Sequence, residues 1–542
     1  MPDMKYDLTR PPDLSREQRI GQMRLQRPEY VALLPPCNQA CPAGENIQAW
    51  LALAQQRHFK AAWQKLVEEN PMPAIHGRVC YHPCESGCNR AQLDNPVSIH
   101  AVERFLGDLA IAEGWNIEYD TAATGRHILV VGAGPSGLSA AYHLTRMGHN
   151  VEIREAGPMA GGMMHFGIPA YRMPRDILDA EIRRIEDMGV RIVLDYKVED
   201  VLAEKQQGNF DAVFVAIGAH LSKHIDIPAR DAAGMLSAVN FLASVETGEA
   251  PVLGRRVAVY GGGNTAMDAA RVAKRLGAEE ALIIYRRNRE QMPAHEFEAQ
   301  GALEEGVKIN WLRTIREIDQ TTLTVEVMEI GADGRPRGTG ELETLEADSL
   351  ILALGQSTDV TLLENIPGIE FQGDTVSVDE HMMTGHPGIF AGGDMVPSER
   401  TVTTAVGHGK KAARNIDSWL RGEHYSSPQK NPLASFDKLH LWYFTDADQR
   451  PQDSLDLNHR QSGFEEVVHG LKKQDAVFEA QRCLSCGNCF ECDGCYGACP
   501  EHAIIKRGKN RGYSIDLELC TGCSICFDQC PCHAIEMVAE PA

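Results

Sequence analysis

The pattern of apolar and polar positions divides the chain into a helical first part and a later strand–turn–helix part. Residues 1–30 are expected to form an extended arm. Between residues 31 and 124, IQAWLALAQQRHFKAAWQKLVEE and SIHAVERFLGDLAI carry apolar residues at helical spacing. After Gly125, the segment HILVVGAGPSGLSAAYHLTRMGHNVEIREA predicts a strand, a glycine turn, a helix and a second strand.

A second unit of the same kind begins near Arg255, with RRVAVYGGGNTAMDAARVAKRLGAEEALIIYRR. Two such βαβ units predict two nucleotide-binding domains with parallel sheets. Residues 386–422 predict a strand, a loop and a helix, whereas residues 425–462 are polar and irregular, as in a connector. A short helix from Phe464 is expected to lead into the last part of the chain.

Length and charge narrow the possible functions. A chain of 542 residues is too long for one compact core, so it is expected to form two to four domains. The net charge of −22 argues against nucleic acid or an anionic membrane as the main partner. The longest apolar runs, 212–217 and 350–354, have the length of strands, so no membrane span is expected. The polar start MPDMKYDLTRPPD predicts no secretion signal, and we expect a cytoplasmic protein.

The cysteines are grouped at the two ends of the chain. Of the 16, five lie between Cys37 and Cys88 and eleven between Cys483 and Cys532, with none in the long middle region. Disulfide scaffolds are typically short and secreted, and this chain is neither. The distribution indicates metal at both ends and a different chemistry in the centre.

Two runs near the end of the chain have the spacing C-x2-C-x2-C-x3-C followed by proline, which is typical of bacterial two-cluster ferredoxins. In that pattern the fourth cysteine of each run ligates the other cluster. The predicted ligands are therefore Cys489, Cys492, Cys495 and Cys530 for one [4Fe–4S] cluster, and Cys520, Cys523, Cys526 and Cys499 for the other. Zinc is the alternative, but it prefers two separated C-x2-C pairs. Cys532 is left over as a structural or unliganded thiol.

The first glycine turn has the G-x-G-x-x-G pattern of a dinucleotide site. Gly132, Gly134 and Gly137 follow a strand and open a helix, so that the backbone can approach a pyrophosphate at the helix N-terminus. Glu155 ends the next strand, at the position of an acceptor for a ribose hydroxyl.

The second glycine turn differs at the residue that discriminates between nucleotides. Gly261, Gly263 and Ala266 form G-x-G-x-x-A, but the next strand ends in Arg286 and Arg287 instead of an acid. Arginines favour a ribose 2′-phosphate, which predicts NADP(H) over NAD(H). The alternative is a solvated basic turn.

The motifs GAGPSGL, GGD at 392–394, GGGNTAMDAAR and YRRNREQMPA resemble the glutamate synthase small-subunit family, which includes the flavin half of dihydropyrimidine dehydrogenase. The resemblance extends to about residue 422 and implies FAD at the first site and NADP(H) at the second, with the nicotinamide domain inserted within the FAD domain. The residues that it implies for FAD are Gly132, Gly134, Pro135, Ser136, Gly137, Glu155, Gly161, Gly162, Met163, Val198, Gly218, Gly393, Asp394, Thr401, Val402 and Thr403. Those for NADP(H) are Gly261, Gly262, Gly263, Asn264, Thr265, Ala266, Arg286, Arg287 and Gly355. Asp394 would bond the flavin ribityl chain, the alternative being an ordinary loop acid.

The cysteine-free centre limits how electrons can leave the flavin. Flavin disulfide reductases need a cysteine pair beside the flavin, and this region contains no cysteine. Electrons are therefore expected to leave FAD as hydride or through metal centres. Flavin suits this junction because it accepts a hydride and releases single electrons.

The N-terminal cysteines Cys37, Cys41, Cys80, Cys84 and Cys88 match the iron–sulfur domain of the same family. The family's EAxRCLxC segment is missing at the N-terminus, but EAQRCLSC occurs at 479–486. We hypothesise a displaced segment, in which Cys483 and Cys486 join Cys37 and Cys88 around one cluster. Cys41, Cys80 and Cys84 would hold a second cluster with Glu103, the position of the family's side-chain ligand. The alternative is a single N-terminal cluster, with Cys483 and Cys486 as spare thiols.

The sequence thus predicts an α/β multidomain NADPH-linked FAD and iron–sulfur oxidoreductase with at least three and up to four clusters. It is expected to be the electron-transfer subunit of a hetero-oligomeric complex, serving a partner such as a 2-oxoacid:ferredoxin oxidoreductase or a free ferredoxin. The alternatives are a glutamate synthase small subunit and a cluster-carrying scaffold with a degenerate flavin site. The predicted division is an arm (1–30), a helical iron–sulfur domain (31–124), an FAD domain (125–250 and 386–424), an NADP(H) domain (251–385), a connector (425–480) and an α+β ferredoxin-like domain (481–542).

Overall fold

The structure is a computed structural model that describes residues 24–223, 229–230, 234–508 and 511–540. Most of the predicted arm, residues 1–23, lies outside the described residues. The chain divides into two compact units. The smaller unit contains residues 24–35, 430–446 and 484–540, and the larger unit contains residues 36–429 and 447–483. The predicted connector is thus shared between the two units.

The α-helices are α1 (Pro36–Ala40), α2 (Ile47–Gln55), α3 (Phe59–Val67), α4 (Pro73–Val79), α5 (Pro83–Ser86), α6 (Ile99–Ala112), α7 (Pro135–Arg146), α8 (Met163–Phe166), α9 (Arg175–Glu186), α10 (Val201–Gln207), α11 (Ala238–Glu246), α12 (Asn264–Arg275), α13 (Glu296–Glu304), α14 (Val402–Leu420), α15 (Leu457–Ser462), α16 (Lys473–Gln481), α17 (Gly494–Ala498) and α18 (Ile525–Asp528). Short 3₁₀ helices span Asn89–Gln92, Thr361–Leu363, Gly393–Met395, Phe436–Lys438 and Leu441–Tyr443.

The β-strands are β1 (Gln26–Tyr30), β2 (His127–Val131), β3 (Asn150–Arg154), β4 (Arg191–Val193), β5 (Ala212–Val215), β6 (Leu221–Ser222), β7 (Ala229–Arg230), β8 (Met235–Ser237), β9 (Arg256–Tyr260), β10 (Glu280–Tyr285), β11 (Lys308–Trp311), β12 (Arg313–Asp319), β13 (Thr322–Ile330), β14 (Pro336–Glu346), β15 (Ser349–Leu352), β16 (Gln356–Ser357), β17 (Phe371–Gln372), β18 (Thr375–Val376), β19 (Ile389–Ala391), β20 (Ile504–Lys506), β21 (Tyr513–Ile515) and β22 (Ile535–Ala539).

The first parallel sheet of the larger unit has the strand order β19-β5-β2-β3-β4. The predicted strand HILVV is β2 and pairs in parallel with both β3 and β5. Strand β19 pairs in parallel with β5, so the chain returns to this sheet after a long excursion. Strands β2, β5 and β19 are apolar and buried along almost their whole length, as expected where a parallel sheet is covered on both faces.

The excursion contains a second parallel sheet, with the order β11-β10-β9-β15-β8. Helix α12 packs on β9 and β10, and Val259, Met267 and Ile283 lie in the core between them. Strands β12, β13 and β14 form a separate antiparallel sheet, which β7 joins in parallel with β12. Two parallel sheets with glycine turns after their central strands confirm the predicted pair of Rossmann-like domains.

The first helices of the larger unit form a separate apolar core around Trp50, which is fully buried. Helix α16, from the end of the predicted connector, packs against α2 and α6. Ala476 and Ala480 on α16 enter the same core as Ile47 and Leu51 on α2. The segment that precedes Cys483 is therefore part of the N-terminal helical domain.

The smaller unit is a compact α+β module with cysteines in its core. Strands β20 and β21 form one antiparallel pair, and β22 pairs with β1 in the register Gln26↔Ala539 to Tyr30↔Ile535. The end of the predicted arm is therefore a strand of this module. Within the part of the chain that the structure describes, no helix combines the length and apolarity needed to cross a membrane.

Candidate nucleotide and iron–sulfur sites

The first glycine turn connects β2 to α7 and requires glycine for steric reasons. Gly132 has φ +105°, and a Cβ at this residue would lie 2.5 Å from the Ala216 carbonyl oxygen. Gly134 precedes α7, and Pro135 is the first residue of this helix. Proline is favourable there because the first amide of a helix has no partner within the helix. The space beside Gly134 is open, so a ligand can approach the backbone at the helix N-terminus.

Two loops distant in sequence meet this turn. The Gly161 amide donates to the Ala133 carbonyl over 2.9 Å, and a Cβ on Gly162 would lie 3.0 Å from the Gly134 Cα. A Cβ on Gly393 would lie 3.1 Å from the Ser136 Cβ. The structure thus brings together the predicted glycines of three segments.

Polar side chains around the turn fit a flavin dinucleotide. Among the described residues, the buried Ser136 hydroxyl has no hydrogen-bond partner, and the buried Thr403 hydroxyl has none besides the Cys80 thiol. Burial raises the pKa of Asp394 to about 6, since the Arg400 charge does not compensate for the loss of water. Phosphate oxygens and ribityl hydroxyls are groups that these side chains could bind.

Glu155 follows β3 and accepts two backbone hydrogen bonds. Its carboxylate receives the Ala133 amide at 2.7 Å and the Gly157 amide at 2.8 Å. The carboxylate is therefore held at the glycine turn, as the prediction requires, with further lone pairs to accept from a ribose.

The remaining residues predicted for FAD lie on the same domain. Met163 opens α8, Val198 is buried, and Gly218 follows β5 with φ +69°. Thr401 precedes α14, and its hydroxyl accepts from the Thr404 amide at 3.1 Å. This contact fixes the start of the helix that begins with Val402.

The second glycine turn connects β9 to α12. Gly261 has φ +153°, and a Cβ at this residue would lie 2.2 Å from the Ala353 carbonyl oxygen. A Cβ on Gly262 would meet the Tyr285 ring at 2.4 Å. Gly263 precedes α12 and faces open space. Two further predicted residues, Thr265 and the buried Ala266, follow in the first turn of α12, and Gly355 lies beyond β15 with φ +103°.

Asn264 is held from both sides. Its side-chain oxygen accepts from the His295 amide at 2.9 Å, and its side-chain nitrogen donates to the Tyr81 hydroxyl at 2.6 Å. The Tyr81 ring also stacks on the His295 ring, with centroids 3.7 Å apart. The loop that carries Cys80 is thereby joined to the second glycine turn.

The two predicted arginines lie directly after β10. Arg286 is exposed and Arg287 is half-buried. Within the described ranges, the Arg287 Nε is buried and has no hydrogen-bond partner. A free guanidinium donor at the end of this strand fits the phosphate of NADP(H).

A buried polar network joins the FAD-domain loop to α12. Tyr171 is completely buried, its hydroxyl donates to Asp268 over 3.0 Å, and its ring packs against the guanidinium groups of Arg271 and Arg275. Glu305 accepts from both arginines, at 2.7 Å from Arg271 and 2.6 Å from Arg275. These contacts hold the two domains to each other.

Four of the predicted iron ligands converge in the N-terminal domain. Burial, together with the charges of Glu45, Glu103 and Cys80, raises the pKa of Cys41. Burial, with Glu103 and the other two thiols among its charged neighbours, also raises the pKa of Cys84. Cys41, Cys80, Cys84 and Glu103 are therefore buried neighbours that interact through their charges, and three thiolates with a carboxylate form a donor set that fits a [4Fe–4S] cluster.

Glu103 lies in a buried polar group that includes Glu45 and Asn70. The Asn70 side chain donates to Glu103 over 2.8 Å and to Glu45 over 3.0 Å. Burial and the negative charge of Glu45 raise the pKa of Glu103. A cluster iron would supply a positive counter-charge that stabilises the ionised form of this carboxylate.

The candidate flavin site and this cysteine group are adjacent. Thr403, in the first turn of α14, lies beside the Cys80 thiol. Close approach of this kind favours rapid electron exchange between two centres bound there.

The other N-terminal cysteines share a core with Cys483. Cys37 is buried in that core, and Cys88 and Cys483 pack against it. Arg482 anchors the segment through Glu479, at 2.9 Å, and Asp94, at 3.1 Å. The structure thus brings the displaced EAQRC segment to the N-terminal cysteines, whereas Cys486 belongs to the smaller unit. The complete ligand set predicted for this cluster stays a prediction.

The cysteines of the smaller unit group as the ferredoxin spacing predicts. One cavity is lined by Cys499, Cys520, Cys523 and Cys526. Burial and the nearby thiols of Cys495, Cys530 and Cys492 raise the pKa of Cys489 to about 11. Each group combines three cysteines of one run with the fourth of the other, which fits two cubane clusters. Cys532 is buried, and its sulfur lies 3.9 Å from the Cys530 sulfur.

Two side chains that contact these groups were not predicted from the sequence. Tyr81 follows the predicted ligand Cys80, and this position was a signal that could have found it. Tyr30 lies 3.2 Å from the Cys495 sulfur, and no local pattern marks it, because the contact joins segments that are distant in the chain. The family resemblance implies a position near the flavin helix for His408, although a histidine on the helix surface was the preferred interpretation; its ring accepts from the Gly393 amide over 3.2 Å.

Two Rossmann-like domains, a helical cysteine domain and a ferredoxin-like module define an NAD(P)H-dependent flavin and iron–sulfur oxidoreductase. Residues 122–409 match the pyridine nucleotide-disulphide oxidoreductase family, and the chain belongs to it. Residues 32–115 match the dihydropyrimidine dehydrogenase domain II, 4Fe-4S cluster family, and residues 513–536 match the 4Fe-4S binding domain. The predicted resemblance and the predicted FAD, NAD(P) and [4Fe–4S] cofactors are confirmed at this level.

Curated relatives include redox subunits. The chain is 36% identical over 502 residues to the NADP(+)-dependent formate dehydrogenase subunit beta of Moorella thermoacetica, covering 83% of this chain and 70% of that one. It is 32% identical over 502 residues to the NADPH-Fe(3+) oxidoreductase subunit beta of Geobacter sulfurreducens, covering 83% and 75%. It is also 32% identical over 433 residues to the glutamate synthase [NADPH] small chain of Escherichia coli, covering 74% and 92%.

Proposed function

We propose that this chain is the electron-transfer subunit of a complex, in which it exchanges hydride with NADP(H) and single electrons with a partner redox enzyme. The observation that carries the proposal is the position of Thr403 beside the Cys80 thiol. Thr403 belongs to the candidate flavin site and Cys80 to a candidate cluster site. A two-electron carrier next to a one-electron carrier is the arrangement that such an exchange requires.

The chain's own residues position the cofactors instead of acting as acids or bases. The amides at the start of α7 and the Ser136 hydroxyl would hold the FAD pyrophosphate, and Asp394 would accept from the ribityl chain. Thr403 and the loop at Gly161 would contact the flavin ring. When bound, FAD accepts a hydride and releases single electrons.

The second site would select NADP(H). Arg287 has a buried guanidinium nitrogen without a partner among the described residues, and the neighbouring Arg286 is exposed. Both would bind a 2′-phosphate, which NAD(H) lacks. The names of two relatives, an NADP(+)-dependent enzyme and an NADPH-Fe(3+) oxidoreductase, support this preference.

The N-terminal domain would receive electrons from the flavin through the cluster held by Cys41, Cys80, Cys84 and Glu103. Tyr81 and Asn264 would keep this cluster loop in a fixed relation to the nucleotide turn. We propose four clusters in all: two with N-terminal ligands, one of which includes Cys483, and two in the ferredoxin-like module.

Electrons would pass from the ferredoxin-like module to the partner. Cys489 and Cys523, one from each predicted cluster, are exposed. A solvent-facing ligand shortens the distance to a cluster in another protein. The proposed partner is a redox enzyme such as a 2-oxoacid:ferredoxin oxidoreductase. A formate dehydrogenase is the second candidate because of the Moorella relative.

A glutamate synthase small subunit is the alternative that the Escherichia coli relative favours. That relative matches 74% of this chain, and this chain carries two runs of ferredoxin cysteines near its end. A pair of clusters there indicates a client that takes up single electrons, which is why the first proposal is preferred.

The test is to purify the chain with its natural complex and to record its visible spectrum and its NADPH- and NADH-dependent reduction of a viologen dye. We expect bound flavin, an iron–sulfur absorbance and a higher kcat/KM with NADPH. Absence of flavin, or equal kcat/KM with both nucleotides, would overturn the proposal. Mass spectrometry of the co-purified subunits identifies the partner and distinguishes a glutamate-forming subunit from the other candidates.

A further inference from the structure

The N-terminal strand of the smaller unit places a phenol on a predicted cluster ligand. Tyr30 is the last residue of β1, and its hydroxyl oxygen lies 3.2 Å from the Cys495 sulfur. The ring stacks on that of Tyr513, with centroids 6.2 Å apart. Pairing with β22, in the register Tyr30↔Ile535, fixes the backbone of this residue.

The direction of the hydrogen bond follows from chemistry. A phenol with an ordinary pKa of about 10 carries its proton at neutral pH, whereas a cysteine that ligates iron has lost its proton. Tyr30 is then the donor and the Cys495 sulfur is the acceptor. Hydrogen bonds to charged acceptors are about twice as strong as neutral ones.

The contact makes the two cysteine runs unequal. One backbone contact is equivalent in the two runs: the Ala503 amide donates to the Cys499 sulfur at 3.3 Å, and the Ala534 amide donates to the Cys530 sulfur at 3.2 Å. Cys526 is the counterpart of Cys495 in the second run. In the described part of the chain, Cys526 receives no hydrogen bond from a side chain, so the Tyr30 contact has no equivalent there.

We propose that Tyr30 raises the reduction potential of the cluster held by Cys489, Cys492, Cys495 and Cys530, and so separates the potentials of the two ferredoxin-type clusters. Reduction adds negative charge to the cluster and its sulfurs, and a donor at one sulfur stabilises that charge. The proposal rests on the proposed function, because it assumes that these cysteines hold a cluster.

The arrangement also makes the N-terminal strand part of the redox site. Arg24 precedes the same strand, Arg27 lies within it, and both pair with Glu540 beyond β22. These ion pairs, together with the β1–β22 ladder, hold the Tyr30 hydroxyl at its position. A cluster near the C-terminus thus depends on a side chain from the start of the chain.

The test is Tyr30→Phe in the full-length protein, with both clusters followed by EPR during a redox titration. We expect about a tenfold fall in the ratio of reduced to oxidised cluster at fixed potential, which corresponds to about 59 mV for a one-electron couple, in one cluster of the module. Tyr513→Phe is the matched control. It removes a hydroxyl that donates to Asp493 over 2.5 Å, while the ring remains stacked on Tyr30. Unchanged potentials in Tyr30→Phe, or equal shifts in both variants, would overturn the proposal.

A second measurement tests the proposal without the variant, in case Tyr30→Phe loses its iron. In the unmodified protein, exchange into D2O and pulsed EPR of the reduced cluster detect deuterons close to a ligand sulfur, and the two clusters are compared. We expect a strongly coupled deuteron at one cluster beyond those of its backbone amides and of the Cys532 thiol, whose sulfur lies 3.9 Å from the Cys530 sulfur. Its absence overturns the Tyr30 proposal, whereas absence of cluster EPR signals from the unmodified module overturns the proposed function instead.

Discussion

The Asn264 side chain donates a hydrogen bond to the Tyr81 hydroxyl across 2.6 Å. This bond joins the residue after a candidate cluster ligand, Cys80, to the first residue of α12, where the second glycine turn ends. The cluster loop and the nucleotide turn are thereby connected directly.

Tyr81→Phe tests this connection. We expect about a fivefold weaker affinity for NADPH, since loss of one hydrogen bond costs about 1 kcal/mol and frees the Asn264 side chain. Titration of the oxidised protein with NADP+ measures the Kd. Tyr119→Phe is the control, because its hydroxyl donates to the Met188 carbonyl over 2.8 Å in another part of the larger unit. Equal effects of both variants would contradict a role for Tyr81 at the nucleotide turn.

Arg287→Ala tests the nucleotide preference. We expect kcat/KM with NADPH to fall about tenfold, because a charge-assisted contact to the 2′-phosphate is lost, while the value with NADH stays the same. Arg289→Ala is the matched control, since Arg289 is exposed and pairs with Glu296. An equal loss of kcat/KM with both nucleotides in Arg287→Ala would show that this arginine stabilises the loop without binding the 2′-phosphate.

Glu305→Gln tests the buried network between the domains. Glu305 is completely buried and bonds the guanidinium groups of Arg271 and Arg275. Removing its charge takes the nearest counter-charge from two buried cations, of which Arg271 keeps a longer contact of 3.7 Å to Glu298. We therefore expect a loss of about 3 kcal/mol of stability at pH 7. Thermal unfolding measures it. Glu304→Gln is the control, because Glu304 is exposed and pairs with Arg460 at the surface.

The same variant has a predicted pH dependence. Burial opposes ionisation of Glu305, but the hydrogen bonds from Arg271 and Arg275 outweigh it and lower its pKa. A carboxyl with a lowered folded-state pKa stabilises the protein above its unfolded pKa, and this contribution disappears as the pH falls through the folded value. The difference in stability between the unmodified protein and Glu305→Gln should therefore be constant near neutral pH and shrink below about pH 4.5. A constant difference down to lower pH would contradict the lowered pKa.

Cys483→Ser tests the displaced segment. A cubane contains four irons, so the unmodified protein with four clusters should contain about 16 irons per chain. We expect the variant to lose about four of them, since Cys483 packs with Cys37 and Cys88 in the N-terminal core. Cys532→Ser is the control, because Cys532 is predicted to be no ligand, and it should retain all iron. About 12 irons in the unmodified protein would refute the idea.

Local patterns were sufficient to predict the fold class. The strand HILVV, the glycines that follow it and the second turn at Gly261 have short-range physical requirements: an apolar run for a buried strand and positive φ or close backbone approach for each turn. The ferredoxin spacing is equally local, because ligands on one run must reach irons a few ångströms apart. These features could be recognised without knowledge of the tertiary structure.

Contacts between residues that are distant in sequence could be identified only from the tertiary structure. The family resemblance pointed to Cys483 at the N-terminal cysteines, but the packing of α16 against α2 and α6 is what brings it there. The contacts Tyr81–Asn264 and Tyr30–Cys495 could not be predicted at all, since a hydroxyl in a strand or loop has no periodicity that identifies its acceptor. The sequence by itself determined which chemistry the chain can support, because cofactor motifs are local. Only the tertiary structure decided which side chains adjust that chemistry, because packing between remote segments sets their distances.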